Sequence, residues 1–173
     1  MRSFVGCPLS AANRALLGAW MAEHLQRGWR PVPPANLHLT LGFFGDQPAA
    51  LLDTLANRLR STPLPPTCRV RSDRAVPFPA AKSPLLALEL TLTTEFLALH
   101  TAIGAASAGV GLPWDTRPFR PHITLARGHG NAIDEPIDIE LNLTEVCIYS
   151  SIPEPGGRRY QALDCVQLAS AGA

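Results

Sequence analysis

Asn36-Leu37-His38-Leu39-Thr40-Leu41 has an echo at Pro121-His122-Ile123-Thr124-Leu125, where the histidine recurs 84 positions further on. Each stretch carries a His and a Thr two residues apart among apolar residues. In a strand successive side chains alternate faces, so His38 and Thr40 share one face while Leu37, Leu39 and Leu41 share the other. The same parity puts His122 and Thr124 together and Ile123 and Leu125 opposite. One His-x-Thr strand signals little, but two in a chain with five histidines mark a repeated device.

The surroundings repeat as well. A strand-like run, Arg2 to Cys7, and a helical segment, Ser10 to Gln26, precede the first copy. A second apolar run, Leu85 to Leu92, and a helical segment from Thr94 to Gly109 precede the other. Arg2 displaced by 84 positions lands on Leu86, so strand, helix and His-x-Thr strand recur in nearly one register. This reads as a diverged duplication whose halves face each other about a pseudo-twofold axis and bring both histidines to one cleft. The halves span about residues 1–82 and 83–173 of a single domain, with Phe78-Pro79-Ala80-Ala81-Lys82-Ser83-Pro84 as the connection.

At 173 residues, 46% hydrophobic and 17% charged, the chain has ample apolar content for a buried core and too much for disorder. A net charge of +1 does not demand a polyanionic partner. Lys82 is the only lysine; the other cations are arginines. That bias reads first as codon usage, which the Ala and Pro content also fits, and second as phosphate recognition by guanidinium forks. Cys7, Cys68, Cys147 and Cys165 form no CxxC pair and read as free thiols packed in strands. No apolar run approaches the ~20 residues of a membrane span, and the N-terminus lacks a signal peptide's apolar stretch. A reduced cytoplasmic setting, no membrane association and a monomer are the expectations.

In chain order, Ser10 caps the first helix, whose apolar face is Leu16, Leu17, Trp20, Met21 and Leu25. Gly28 ends it, and Arg30 to Pro34 reads as a stiff loop. A second helix, starting near Asp46-Gln47-Pro48, carries the stripe Leu51, Leu52, Leu55 and Leu59. Thr67 to Val76 alternates as a half-exposed strand. Thr93 or Thr94 caps the third helix, which buries Phe96, Leu99 and Ile103. His24 and His100 read as structural and His129 as a turn residue. Ile137 to Ser150 reads as one long strand and Arg159 to Leu168 as the last.

Two imidazoles across a cleft suit acid–base chemistry, because a pKa near 6.5 populates both forms at neutral pH. One can take a proton from water while the other gives one to a leaving oxygen. Thr40 and Thr124 aim hydroxyls at the same spot, as two phosphate oxygens require. A zinc site needs a further ligand that neither motif supplies. There is no nucleophile elbow, P-loop or GxGxxG.

Asn36 to Gly45 resembles the first motif of the two-histidine phosphoesterases, in their RNA 2′,3′-cyclic phosphodiesterase branch (LigT or ThpR type, once called 2′-5′ RNA ligases). Arg117-Pro118-Phe119-Arg120-Pro121-His122-Ile123-Thr124-Leu125-Ala126-Arg127 resembles the second motif. Phe4, Phe78-Pro79, Ile148 to Ser151 and Tyr160 fall where that branch has similar residues. The resemblance implies an α+β fold of two pseudo-symmetric lobes, with antiparallel sheets lining a central cleft and helices packed outside. It implies metal-free, cofactor-free hydrolysis of an RNA or oligonucleotide 2′,3′-cyclic phosphate end to a 2′-phosphomonoester, with 2′-5′ RNA joining as an accompanying reaction. His38, Thr40, His122 and Thr124 would be catalytic, His38 as acid and His122 as base. Arg127 would contact the phosphate and Phe43 would stack on the terminal base. Strict alternation turns both away from the cleft, so their roles require a bulge or a position at the strand's end. The chain departs from its relatives at Pro33-Pro34-Ala35, where they often carry charge. The alternatives are a relative acting on another small phosphodiester, and an RNA-end or nucleotide-binding module without catalysis.

Overall fold

The computed structural model describes residues 1–172. The chain runs β1 (Arg2–Pro8), α1 (Ala11–His24), β2 (Trp29–Pro31), a 3-10 turn (Pro34–Asn36), β3 (His38–Asp46), α2 (Ala49–Ser61), β4 (Cys68–Pro77), β5 (Leu85–Leu90) and α3 (Thr94–Gly109). It continues through β6 (His122–Gly128), β7 (Glu135–Pro136), β8 (Glu140–Leu143), β9 (Glu145–Glu154) and β10 (Gly157–Gln167). The fold is α+β, with an antiparallel sheet in the order β10-β9-β1-β3-β6-β5-β4-β7; β2 pairs with β6 and β8 with β4.

That order is symmetric about one seam. β1 and β3 pair antiparallel, as do β5 and β6, and the two pairs meet at β3–β6. The seam is one bridge, Leu39 opposite Ile123, beyond which β2 takes the same edge of β6. The sequence halves also exchange strands. β4 precedes the Phe78–Pro84 connection yet lies beside β5, while β9 and β10 follow it and extend the sheet from β1.

Helix boundaries follow local chemistry. The Ser10 hydroxyl accepts the Asn13 amide at 3.1 Å, and the Thr93 hydroxyl accepts that of Phe96 at 3.2 Å, each satisfying an orphan donor of a first turn. The core gathers Leu17 and Met21 of α1, Leu52, Leu55 and Leu59 of α2, and Phe96, Leu99 and Ile103 of α3 against the buried strand residues.

Several expectations change. Leu16 is 46% exposed, because α1 buries only the narrow row of Leu17 and Met21. That helix ends at His24 with Leu25 as its cap, before Gly28. Trp29–Pro31 is a strand, since an edge position tolerates the proline that argues for a loop. The run from Ile137 breaks into β8 and β9: burial alternates through Leu141 and Leu143 and then slips at Val146, as the chain leaves β4 for β1 and β10. Cys147 and Cys165 are not free. They are direct partners across β9–β10 and form a disulfide with Cα atoms 4.1 Å apart. Cys7 and Cys68 are free and buried, and burial pushes both thiols up, so neither is a ready nucleophile.

Candidate active site

The apolar residues of the two motif strands anchor them. Leu39, Ile123 and Leu125 are fully buried, each contributing about 1.5–3 kcal/mol by burial. Their neighbours His38, Thr40, His122 and Thr124 are half-buried and line one cleft of about 560 Å³. Extending the Leu39–Ile123 bridge by one residue each way sets His38 opposite Thr124 and Thr40 opposite His122. The histidines are therefore diagonal neighbours across the seam.

Phe43 and Arg127 also line the cleft, against strict alternation. The cause is a bulge in each motif strand. On β3, Thr40 pairs with Gly6 and Gly42 with Val5, leaving Leu41 as an extra residue. On β6, Thr124 pairs with Ala87 and Ala126 with Leu86, leaving Leu125 extra. An extra residue inverts the parity beyond it. Leu41 and Gly42 both turn inward, as do Leu125 and Ala126, so Phe43 and Arg127 emerge beside the histidines. Position 41 displaced by 84 is 125, and 43 displaced by 84 is 127, so the two bulges keep the 84-position spacing of the motifs. Gly42 is required there, because a Cβ would lie 2.4 Å from the Trp114 ring.

Each histidine is held by the residue two before it. The Nδ1–H of His38 donates to the Asn36 carbonyl at 2.7 Å, and that of His122 to the Arg120 carbonyl at 2.9 Å. A carbonyl only accepts, so Nδ1 carries the proton in the neutral ring and Nε2 is left for chemistry. The Thr40 hydroxyl lies 2.9 Å from Nε2 of His38. Aromatic rings confine both imidazoles: Phe4 and Tyr160 lie 4.6 and 4.9 Å from His38, and Phe78 lies 4.0 Å from His122. Burial lowers both pKa values. The hydrogen bonds to the Asn36 and Arg120 carbonyls oppose this, the charges of His122 and Arg127 lower His38 further, and at His122 the Arg120 charge lowers and Glu89 raises.

Four arginines, Arg2, Arg30, Arg127 and Arg158, line the cleft, and none has a carboxylate partner among the described residues. Among those residues no Asp or Glu lines it. Glu89, opposite His122 on β5, is engaged by Arg120 at 2.7 Å. A locally cationic cleft in a protein of net charge +1 favours an anionic ligand. Sequence reading did not single out Arg2, Arg30 or Arg158, whose positions depend on strand pairing. Among the described residues, one cluster of three metal-type donors occurs, Glu145, Cys147 and Cys165, and its sulfurs are joined in the disulfide.

The remaining histidines lie outside the cleft. His24 stacks on Trp20 and hydrogen-bonds its carbonyl at 2.9 Å. His100 stacks on Phe119 at 3.7 Å. His129 follows the end of β6, where its backbone amide donates to the Gly28 carbonyl at 3.2 Å.

A profile described as LigT-like phosphoesterase matches residues 8–84 and 90–160. The chain belongs to the LigT-like phosphoesterase family. It is 34% identical over 155 residues to the RNA 2′,3′-cyclic phosphodiesterase of Thermus thermophilus, covering 82% of this chain and 77% of that one. It is 30% identical over 169 residues to the Escherichia coli K12 protein of the same name, covering 94% and 93%. Escherichia coli LigT in complex with 3′-AMP superposes with a TM-score of 0.82 at 28% identity, over 96% of this chain and 97% of that one.

Proposed function

We propose that this protein hydrolyses RNA 2′,3′-cyclic phosphate ends to 2′-phosphomonoesters, without a metal ion. The observation that carries the reading is the β3–β6 seam: two Nδ1-anchored histidines and two threonines share one arginine-lined cleft, in which no Asp or Glu stands among the described residues. The two relatives named as RNA 2′,3′-cyclic phosphodiesterases, and the 3′-AMP held by Escherichia coli LigT, fit the same chemistry.

A 2′-phosphate product requires the P–O3′ bond to break. Water attacks phosphorus in line with O3′; His122 takes a proton from that water as base, and His38 gives one to O3′ as acid. The Nδ1 anchors present Nε2 of both rings for these transfers. Thr40 and Thr124 donate to the non-bridging oxygens, where charge accumulates in the transition state. Arg127 binds the phosphate and, once neutralised by it, no longer depresses the His38 pKa, which helps load the acid. Phe43, 67% exposed at the cleft mouth, offers a stacking face for the terminal base. Product analysis on a 2′,3′-cyclic-phosphate oligonucleotide, in the presence of chelator, tests the reading: a 2′-phosphate end is expected, and an unchanged end would refute it.

A further inference from the structure

The residues two before the histidines, Asn36 and Arg120, differ in chemistry yet stand 84 positions apart, at equivalent places of the repeat. Each gives its carbonyl to the Nδ1–H of its own histidine. Each also uses its side chain to hold the segment that carries an aromatic ring against that histidine. The Asn36 amide donates to the Arg158 carbonyl at 2.6 Å and its Oδ1 accepts the Tyr160 amide at 3.2 Å. These bonds cross from the 3-10 turn to β10 and fix Tyr160, whose ring stands edge-on to His38 at 4.9 Å. The Arg120 guanidinium donates to the Pro79 carbonyl at 3.1 Å and to Glu89 at 2.7 Å, and lies over the Phe78 ring at 4.5 Å. Phe78 in turn stacks on His122.

We infer that Asn36 and Arg120 are the paired positioning residues of this site: each clamps one histidine between its own carbonyl and an aromatic ring that its side chain tethers. The role within a reaction rests on the proposed phosphodiesterase activity; the clamp itself does not. Half-site geometry explains the need. A ring on a strand keeps rotation about its side-chain bonds, and an Nδ1 anchor alone leaves it free to tip. A tethered aromatic closes that freedom without adding a charged group to the face of the ring that reacts. Neither tethering side chain is one of the groups assigned to the phosphate itself. The two clamps also differ usefully. Asn36 is neutral, whereas Arg120 and Glu89 bring opposite charges to the surroundings of His122, which also faces His38 across the seam.

The test uses the full chain with Asn36→Ala, Asn36→Ser, Arg120→Met and Arg120→Lys, and reads two quantities. One is the nitrogen NMR signature of the histidine rings at a pH where both are neutral. The wild-type His38 and His122 rings should show the Nδ1–H form. Asn36→Ala should shift only His38 toward a mixture of tautomers, and Arg120→Met only His122. The other is kinetic: kcat should fall on the order of 10- to 10²-fold, the usual consequence of a misplaced catalytic group, with KM within about 2-fold. Arg120→Lys, which restores a cation over Phe78 but not the two-pronged hold, should recover part of the loss. Asn36→Ser serves if Asn36→Ala does not fold. Unchanged ring signatures and kcat in folded variants would overturn the inference. Wild-type protein inert on every cyclic phosphate would instead refute the proposed activity, while the ring signatures would still decide the clamp.

Discussion

Leu39 and Ile123 face each other across the bridge that joins β3 to β6, and each is the middle residue of a His-x-Thr. Two fully buried apolar side chains therefore meet at the seam, with the polar residues of both motifs on the opposite face. Truncating either side chain leaves a cavity under the site. Ile123→Ala should cost about 2–5 kcal/mol, as large-to-small core changes do. Chemical denaturation of the variant against wild type measures it, and a change under about 1 kcal/mol would show that the seam carries little of the stability.

Metal removal should leave turnover intact. In the proposed reaction the phosphate is met by hydroxyls, imidazoles and arginines, and among the described residues no carboxylate lines the cleft to complete a cation site. Steady-state rates in excess EDTA should match the untreated enzyme; loss with rescue by a divalent ion would contradict this.

The pH profile should sit on the acid side of the ordinary histidine value. Burial lowers both His38 and His122, so in the free enzyme the form with one proton on the pair is populated below pH 6.5. The kcat/KM profile should peak there. Arg127→Met removes a cation that lowers His38, so the limb belonging to His38 should move up. The same shifts bear on stability. The unfolded chain binds protons at these positions before the folded chain does, so stability is fully present above about pH 6.5 and is lost as pH falls toward the lowered folded values. His100, also lowered by burial, adds to the effect. Melting temperature against pH should decline on acidification, and less steeply in His38→Gln.

The bulges should be sensitive to a single methyl. Gly42→Ala sets a Cβ against the Trp114 ring, where there is no room, and overpacking of this kind costs about 1–3 kcal/mol. Because the bulge aims Phe43, the variant should also raise KM for oligonucleotides. A stable variant with unchanged KM would detach the bulge from substrate binding. Thr40→Ala and Thr124→Ala should each lower kcat by ~10²–10³, the worth of one oxyanion donor.

What the sequence made legible were features with a local signal. The His-x-Thr parity, the capping threonine and serine, and the spacing of Phe96, Leu99 and Ile103 each follow from two or three neighbouring residues. The bulges at Leu41 and Leu125 were not legible, because an apolar residue in a strand looks alike whether it is paired or extra. Phe43 and Arg127 were placed at the site by resemblance, and their route onto its face emerged only from strand register. Cys147 and Cys165, 18 residues apart, carry no spacing signal; their union depends on the β9–β10 pairing. The clustering of Arg2, Arg30 and Arg158 was hidden for the same reason, since they come from three strands distant in sequence.

In the proposed reaction His38 supplies the proton for the leaving oxygen and His122 takes the proton from water. Each His→Ala change should lower the rate on the order of 10²–10⁴ with an ordinary cyclic phosphate. The most direct test is a substrate whose 3′ leaving oxygen is replaced by sulfur, which departs without needing a proton. Single-turnover rates of both variants on that substrate should show His38→Ala largely restored and His122→Ala still impaired. Restoration of His122→Ala alone, or of neither, would contradict the assignment.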